Sequence, residues 1–449
     1  MILTDIKRHL ADLGTAPIKS LGQNFLHDQN LAQWMIRQLD PQPDDVFLEV
    51  GPGLGALTEW LVPQVRRVIA VEKDGRMADF LRSHFSGQAG CKIWHEDACE
   101  TDVRNFLPLG PCKLIGNLPY YVSTAILLNF LQAISPVRQA LFTVQREVAE
   151  RLNARPGTAD YGSLTLAVQR RWRVKYLRTL PPTVFYPEPH VDSAVILLTA
   201  RLPEEIASLD GGVFERTVRL GFSQRRKQLR KMLAIPAGDW EPLAAALGVA
   251  PQCRAEELSL EQWIRLVQTL HPAATTTAQN PATEIFDVVD EENRVIGQAS
   301  RAEVHDRDLR HRAVHLLVSN RAGEIFLQKR SHLKDREPGK WDSSAAGHLD
   351  AGEEYAVAAR REIQEELGVE EAVEFAGKLP ASERTGHEFV EIYTAQSEGP
   401  FQLHPLEIET GAFFSRAQID CWLEQRPQDF APGFVECYQF LPAKDQTAL

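Results

Sequence analysis

Two groups of residues in this 449-residue chain have types and spacings that could do chemistry. In the first, VFLEVGPGLGALTEWL places Gly51, Gly53 and Gly55 between a strand-like run and a helix-like run. Glycine belongs where backbone turns tightly and a ligand approaches with no Cβ in the way. VIAVEKD then ends a second apolar run in Glu72, whose carboxylate could accept both hydroxyls of a ribose. That pairing fits a nucleoside cofactor, and its spacing alone leaves a dinucleotide and S-adenosylmethionine both open. Asp97 in HEDA follows a third strand-like run, where it could accept from the amine of an adenine. NLPY (117–120) follows a fourth. There the carbonyls of Asn117 and Pro119 could accept from the exocyclic amine of a base, and Tyr120 offers a face for a flipped base to stack on. Such an amine, its lone pair freed from the ring, would point at a methyl sulfonium. In the second group, Glu362, Glu365 and Glu366 fall at i, i+3 and i+4 on one helical face. Three like charges there repel unless a cation holds them, and hard carboxylate oxygens select magnesium or manganese.

These residues need strands to end in and helices to stand on. Apolar runs VFLEV (46–50), RVIAVE (67–72) and CKLIGNL (112–118) alternate with helical stretches such as ALTEWLVPQV and AILLNFLQAI. The alternation predicts an α/β body with a largely parallel sheet. From about 205 to 270 the strand pattern stops, which predicts a small C-terminal helical subdomain. HPAATTTAQNPAT (271–283), small and polar with two prolines, reads as a linker. Beyond it, EIFDVVD, AVHLLVS, EIFLQKR and FVEIYTA surround one strong helix at about 353–367, an α+β pattern. The expected domains are therefore 1–205, 206–270 and 284–445, with 271–283 between the last two.

Composition bounds what these bodies can be. With 44% apolar and 24% charged residues, 28 Gly and 27 Pro, the chain is neither collagen-like nor low-complexity. No run approaches the roughly 20 apolar residues that span a bilayer, and MILTDIKRHLADLG has charges where a signal peptide needs an apolar core. The expectation is a cytoplasmic protein with no membrane partner, working as a monomer. Six cysteines without a CxxC pair argue against a zinc site and read as free thiols. Residues 1–272 carry 31 Lys+Arg against 29 Asp+Glu, while 273–449 carry 18 against 32, so two bodies with different partners are implied. Residues 138–231 hold 17 basic and 9 acidic side chains, which suits a polyanion such as nucleic acid, a solvated helical face being the alternative. Within it, Arg225, Arg226, Lys227, Arg230 and Lys231 fall in one helical stretch and could line up against phosphates. Phe185, among the prolines of TVFYPEP, could sit beside a flipped base or pack under its loop.

Residues 1 to about 270 resemble the ribosomal RNA small-subunit adenine dimethyltransferase family. KSLGQNFLHD (19–28), EVGPGLGALT (49–58), NLPYYVST (117–124), QREVAERL (145–152), FYPEPHVDSA (185–194) and FSQRRKQLRK (222–231) carry the likeness, in family order. The resemblance implies a Rossmann-like fold and transfer of two methyls to each of two adjacent adenosines near the 3′ end of 16S ribosomal RNA. It also implies contacts to S-adenosylmethionine at Asn24, Leu26, Gly51, Glu72, Asp97 and Asn117. Relatives that methylate 23S RNA, and mitochondrial transcription factors of the same fold, share these residues.

The stretch from Gly347 to Val369 is similar to the Nudix box at each fixed position: Gly347, Glu353, Arg361, Glu362, Ile363, Glu365, Glu366, Gly368 and Val369. The resemblance covers about 283–440 and implies attack of water on a phosphorus of a nucleoside diphosphate linked to another group. It implies Glu362 and Glu366 as metal ligands, Glu365 as ligand or base, and Arg361 with Glu353 as the pair that fixes the helix. HRAVHLLV, FLQKRSHLKDREPGKWDSSAAGH and Glu391 look like the isopentenyl-diphosphate isomerase branch, in which His305, His311 and His348 would correspond to metal-binding histidines. Two departures stand out: Ala346 replaces that branch's catalytic cysteine, and Phe389 one of its late acidic residues. Isomerisation needs a proton donor and acceptor, so loss of the thiol favours hydrolysis. The alternatives are an isoprenoid-diphosphate enzyme or a non-catalytic regulatory module in the second body, and a ribosome-assembly role for the first.

Overall fold

The computed structural model describes residues 1–206, 208–272 and 284–441, so most of the expected linker at 271–283 lies outside the described residues. The chain forms two compact units, one of residues 1–206 with 215–266, the other of 207–214 with 267–449.

The first unit is built on strands β1 (Val46–Val50), β2 (Arg67–Glu72), β3 (Cys91–His95), β4 (Cys112–Asn117), β5 (Val137–Gln145), β6 (Trp172–Leu180) and β7 (Ser193–Ala200). They make one sheet in the order β3-β2-β1-β4-β5-β7-β6. All five residues of β1 are buried, as a strand covered on both faces requires. The five strands from β3 to β5 run parallel, while β7 and β6 close the far edge antiparallel. The order reverses at β1, which lies between β2 and β4. In a sheet of this kind a crevice opens beyond the strand ends at that point. Gly51, Glu72 and Asn117 stand at those ends.

Helices Gly211–Gly221, Leu229–Met232, Ala237–Leu247 and Leu260–Leu270 follow the sheet, with Gln228 and Arg254 joined by an isolated bridge. The basic run corrects one expectation: residues 222–228 form a turn between two helices and not part of a helix. Apart from 207–214 and the helix end at 267–270, this helical segment groups with the sheet in one unit.

Of the two places read for Phe185, beside a flipped base or packed under its loop, the ring takes the second. Phe185 pairs with Leu26 in a two-residue antiparallel ribbon, Phe25–Leu26 against Phe185–Tyr186. Its side chain is 1% exposed, packed with Leu26, Met35, Phe47, Leu61 and Leu141. A ring so enclosed has no face for a flipped base; it anchors the loop instead.

The second unit opens with a hairpin, β8 (Ile285–Val289) and β9 (Val295–Ser300). A mixed seven-stranded sheet follows: β10 (His311–Ser319), β11 (Ile325–Arg330), β12 (Trp341–Asp342), β13 (Ala345–His348), β14 (Glu374–Leu379), β15 (Glu388–Gln396) and β16 (Ile408–Phe414). β10 pairs β15 in parallel along its full length and β13 antiparallel. Val314, Leu316 and Val318 of β10 pack with Ala358, Ala359, Ile363 and Leu367 of the helix Tyr355–Leu367. That helix ends at Gly368, whose φ of 69° is a left-handed cap that glycine adopts without strain.

Phe185→Ala is expected to lower the stability of the first unit by about 3–5 kcal/mol, the usual cost of emptying a buried phenyl site. Urea denaturation followed by far-UV circular dichroism checks this; unchanged stability with weakened RNA binding would restore the base-stacking role.

Candidate functional site

One cavity at the reversal of strand order in the first unit takes in Asn24, Leu26, Gly51, Gly53, Glu72, Asp97, Asn117 and Pro119. Gly51 and Gly53 have φ of 66° and 58°, and a Cβ on Gly53 would stand 3.0 Å from the Phe25 ring. The turn they make aims the Gly53 N–H at Glu72 Oε2 at 2.9 Å, and the Asp74 N–H meets Oε1 at 2.9 Å. Burial pushes the Glu72 carboxyl up, and the two backbone donors oppose that shift. Each oxygen keeps a second lone pair for a ligand hydroxyl.

Asn117 Nδ2 donates to the Asn24 carbonyl at 2.8 Å, and Asn24 Nδ2 donates to the Gly22 carbonyl at 3.1 Å. These bonds lay residues 22–24 over NLPY; the nearest neighbours of a Cβ on Gly22 would be Pro119 and Tyr121. With its donor end engaged, Asn117 presents Oδ1 as the acceptor that an incoming amine would meet. Leu26 is buried, so its side chain serves the core while lining the cavity. Tyr120 is half-buried, its hydroxyl hydrogen-bonded to Ser193 Oγ, and burial pushes the phenol up. Its neighbour Tyr121, 60% exposed, lines the cavity, and sequence reasoning missed it.

Asp97 Oδ1 accepts from the Cys99 N–H at 3.0 Å, and Oδ2 is 2.5 Å from Lys73 Nζ. Burial raises this carboxyl, but Lys73 and the Cys99 N–H outweigh it and hold the acid below its usual range. Lys73 was also missed; its exposed side chain had no pattern in the sequence to mark it.

The basic residues separate into two kinds. Arg225 is bound within its own unit: Nε donates to Glu256 at 2.6 Å and Nη2 to the carbonyls of Thr158 at 3.1 Å and Tyr161 at 3.5 Å. Arg230 donates to the Ile235 carbonyl at 3.3 Å. Arg225, its side chain about half exposed, therefore ties the turn to a neighbouring loop. Arg226, Lys227 and Lys231 are exposed, as Arg225 is, and Arg230 is half-buried.

In the second unit a cavity of about 510 Å³ takes in Glu362, Glu365 and Glu366. Arg361 braces them: its guanidinium donates to Glu353 at 2.8 and 3.0 Å, to Glu362 at 2.7 Å, to Glu365 at 3.2 Å and to the His348 carbonyl at 3.0 Å. A Cβ on Gly347 would fall 2.1 Å from Glu362 Oε1, so only glycine leaves room for that carboxylate. Glu366 Oε2 accepts from Gln328 Nε2 at 2.9 Å and from the Ala346 N–H at 3.0 Å. Burial pushes both Glu362 and Glu366 up, as expected of paired carboxyls that want a cation. This donor set, all hard oxygen, fits a magnesium or manganese ion.

His305, His311 and His348 bring one ring nitrogen each to within 4.8 Å of one another. His348 Nε2 lies 3.1 Å from Glu388 Oε1; His311 Nε2 is 3.6 Å from the same oxygen, beyond hydrogen-bond reach. Nε2 of both His305 and His311 is buried and has no hydrogen-bond partner among the described residues. Burial pushes His305 down to about 4 and His348 down to about 3, so both rings are neutral and have a lone pair to offer. Orphaned ring nitrogens beside a carboxylate fit a borderline divalent metal. Glu388 went unassigned in the sequence because only the parallel register of β10 with β15, His311 opposite Glu388, brings it there.

The family model for ribosomal RNA adenine dimethylase matches residues 17–271, more than half of the chain. The chain belongs to the ribosomal RNA adenine dimethylase family. A NUDIX domain model matches residues 309–434, so a dimethylase domain and a Nudix domain share one polypeptide. The ribosomal RNA small subunit methyltransferase A of Geobacillus kaustophilus is 40% identical over 266 residues, which cover 57% of this chain and 91% of that protein. The protein of the same name from Lactiplantibacillus plantarum is 37% identical over 267 residues, 57% of this chain and 90% of its own. A dimethyladenosine transferase structure from Plasmodium falciparum is 20% identical with a TM-score of 0.47, covering 56% of this chain and 98% of that one.

Beneath the dimethylase cavity lies one more carboxyl, Glu49, 1% exposed and bonded to Thr58 Oγ1 at 2.7 Å. Burial pushes it up to about 8. A carboxyl raised on folding stabilises the protein below its unfolded value and loses that contribution as pH rises through the folded one. The dimethylase domain should therefore lose stability between about pH 5 and pH 8, by at most ~1.4 kcal/mol per pH unit for one proton. Glu49→Gln is expected to flatten that slope in denaturation measured at pH 5.5, 7 and 8; an unchanged slope would mean that Glu49 is ionised in the fold.

Proposed function

We propose that the dimethylase domain transfers two methyls to the exocyclic amine of each of two adjacent adenosines near the 3′ end of 16S ribosomal RNA, on the small ribosomal subunit in the cytoplasm. The observation that carries this reading is the convergence of all seven expected cofactor residues, with Pro119, on one cavity. Glu72 pairs with the ribose hydroxyls and Asp97 with the adenine amine of the cofactor. Asn117 Oδ1 and the Pro119 carbonyl hold the target amine, and Tyr120 stacks on its base. Bound S-adenosylmethionine supplies an activated methyl; the protein's part is to orient the amine and exclude water. Arg226 and Lys227, exposed beside the braced Arg225, meet RNA phosphates, with Arg230 behind them.

The Nudix domain is read as a metal-dependent hydrolase of a small diphosphate substrate. Glu362 and Glu366 hold magnesium or manganese, Glu365 is a further ligand or the base, and Arg361 with Glu353 keeps them aimed. Such an ion supplies charge neutralisation and a more acidic water. The histidine cluster with Glu388 favours a second reading, an isoprenoid-diphosphate enzyme. Ala346 offers no proton-transfer group at the thiol position, and for that reason hydrolysis is the reading adopted.

Asn117→Ala is expected to cut methyl transfer to undermethylated small subunits on the order of 100-fold or more, the scale expected when a group that holds the reacting atom is removed, with cofactor binding weakened but measurable. In parallel, Glu366→Gln should abolish phosphate release with magnesium. Full methylation by the first variant would remove the NLPY assignment, and undiminished release by the second would remove the metal assignment.

Arg226→Ala and Lys227→Ala should each lower RNA affinity and reduce the salt slope of log K by about 0.7–0.9 for each phosphate no longer neutralised. Arg225→Ala should instead cost stability, through its bonds to Glu256, Thr158 and Tyr161. Salt titrations of RNA binding with melting curves separate the two; a reduced salt slope in Arg225→Ala alone would reverse the assignment.

A further inference from the structure

The dimethylase and Nudix cavities described above are made of different materials. Around the dimethylase cavity stand Phe25, Val50, Leu54, Leu57, Tyr121 and Ile126, the apolar and aromatic faces that a purine needs. Of the twenty-eight residues lining the Nudix cavity, twenty are Asp, Glu, Lys, Arg or His. The remainder are alanine, glycine, threonine and proline, plus a single aromatic, Phe286. That ring is already engaged, stacked on His348 at 4.7 Å between centroids and on His311 at 5.8 Å. Among the described lining residues there is no Tyr or Trp to stack a base, and no Leu, Ile or Val to hold a hydrocarbon chain.

The charges say how a ligand is held. Ten carboxylates face six Lys and Arg across this cavity, so a bare polyanion meets a net negative wall and enters only with divalent cations. All six basic side chains are already ion-paired, so a phosphate oxygen reaches one only by sharing or displacing its carboxylate. Lys334, for one, lines the cavity in an ion pair with Glu407. Recognition by ions and point charges has no means of telling one nucleobase from another, because discrimination needs hydrogen bonds or shape at the base edge.

We propose that the Nudix domain takes phosphoanhydrides by their polyphosphate alone, without reading a nucleobase and without a seat for an isoprenoid chain. This rests on the hydrolase reading and names its substrate class: small hydrophilic di- and triphosphates, base-free ones included.

The test uses the full chain with magnesium and five probes, ATP, GTP, CTP, UTP and inorganic tripolyphosphate, each followed by phosphate release. Calorimetric binding of the same five in calcium runs beside it. The expected result is kcat/KM values within about 5-fold of one another, parallel affinities that vanish without a divalent ion, and a similar rise in KM for all five in Lys334→Met. A preference above about 20-fold for one base, or failure of tripolyphosphate where nucleotides are cleaved, overturns the inference and leaves the hydrolase reading in place. Base-independent binding without turnover would instead support the inference and remove the hydrolase reading. Neither binding nor turnover by any probe overturns both.

Discussion

Glu72 ends a buried parallel strand, and what lets a carboxylate stay there is the pair of backbone N–H groups, from Gly53 and Asp74, that meet its two oxygens. A buried acid without such donors would protonate or open the fold. The Gly53 donor is available because Gly51 and Gly53 take left-handed φ values, which turn the chain toward the end of the neighbouring strand, while the Asp74 donor comes from the turn that follows Glu72 itself. Everything else at the dimethylase cavity is arranged around that turn. Phe25 packs against Gly53, the ribbon from Phe25 to Tyr186 pins the loop, and Asn24 is set over NLPY by its bond from Asn117.

The Nudix cavity solves the same problem by other means. Glu362 and Glu366 are buried on one helical face, and no glycine turn supplies their donors. Arg361 binds four partners at once, and Glu366 takes an amide side chain and one backbone N–H. Desolvation still raises both acids, leaving an electrostatic demand that a divalent ion would meet. Gly347 matters here for space rather than for backbone conformation, since any side chain would strike Glu362.

Local patterns in the chain held much of this. Three glycines after a strand, an acid ending the next strand, NLPY, and acids at helical spacing are short-range signals, because each is read within a single turn or element. For the same reason the α/β alternation of the first unit and the strong helix of the second are legible in the chain itself. The antiparallel pair β6 and β7, and the turn at 222–228, were not legible: both depend on which distant segments pair, and local periodicity does not carry that.

What the sequence by itself marked was the candidate chemistry: a glycine turn and an acid that fit a nucleoside, an NLPY with carbonyls an amine could meet, and a trio of glutamates that fits a cation. Tertiary structure decided which neighbours are free to act. Phe185 looked available in a proline-rich loop, but pairing with Leu26 buries it. Arg225 looked like its basic neighbours, yet Glu256 and two carbonyls from 67 and 64 residues away claim its guanidinium. Glu388 had no local mark, and the register of β10 against β15 brings it to three histidines. In each case the deciding contact spans tens of residues, so the energy that commits the side chain is set by packing and not by its sequence neighbours.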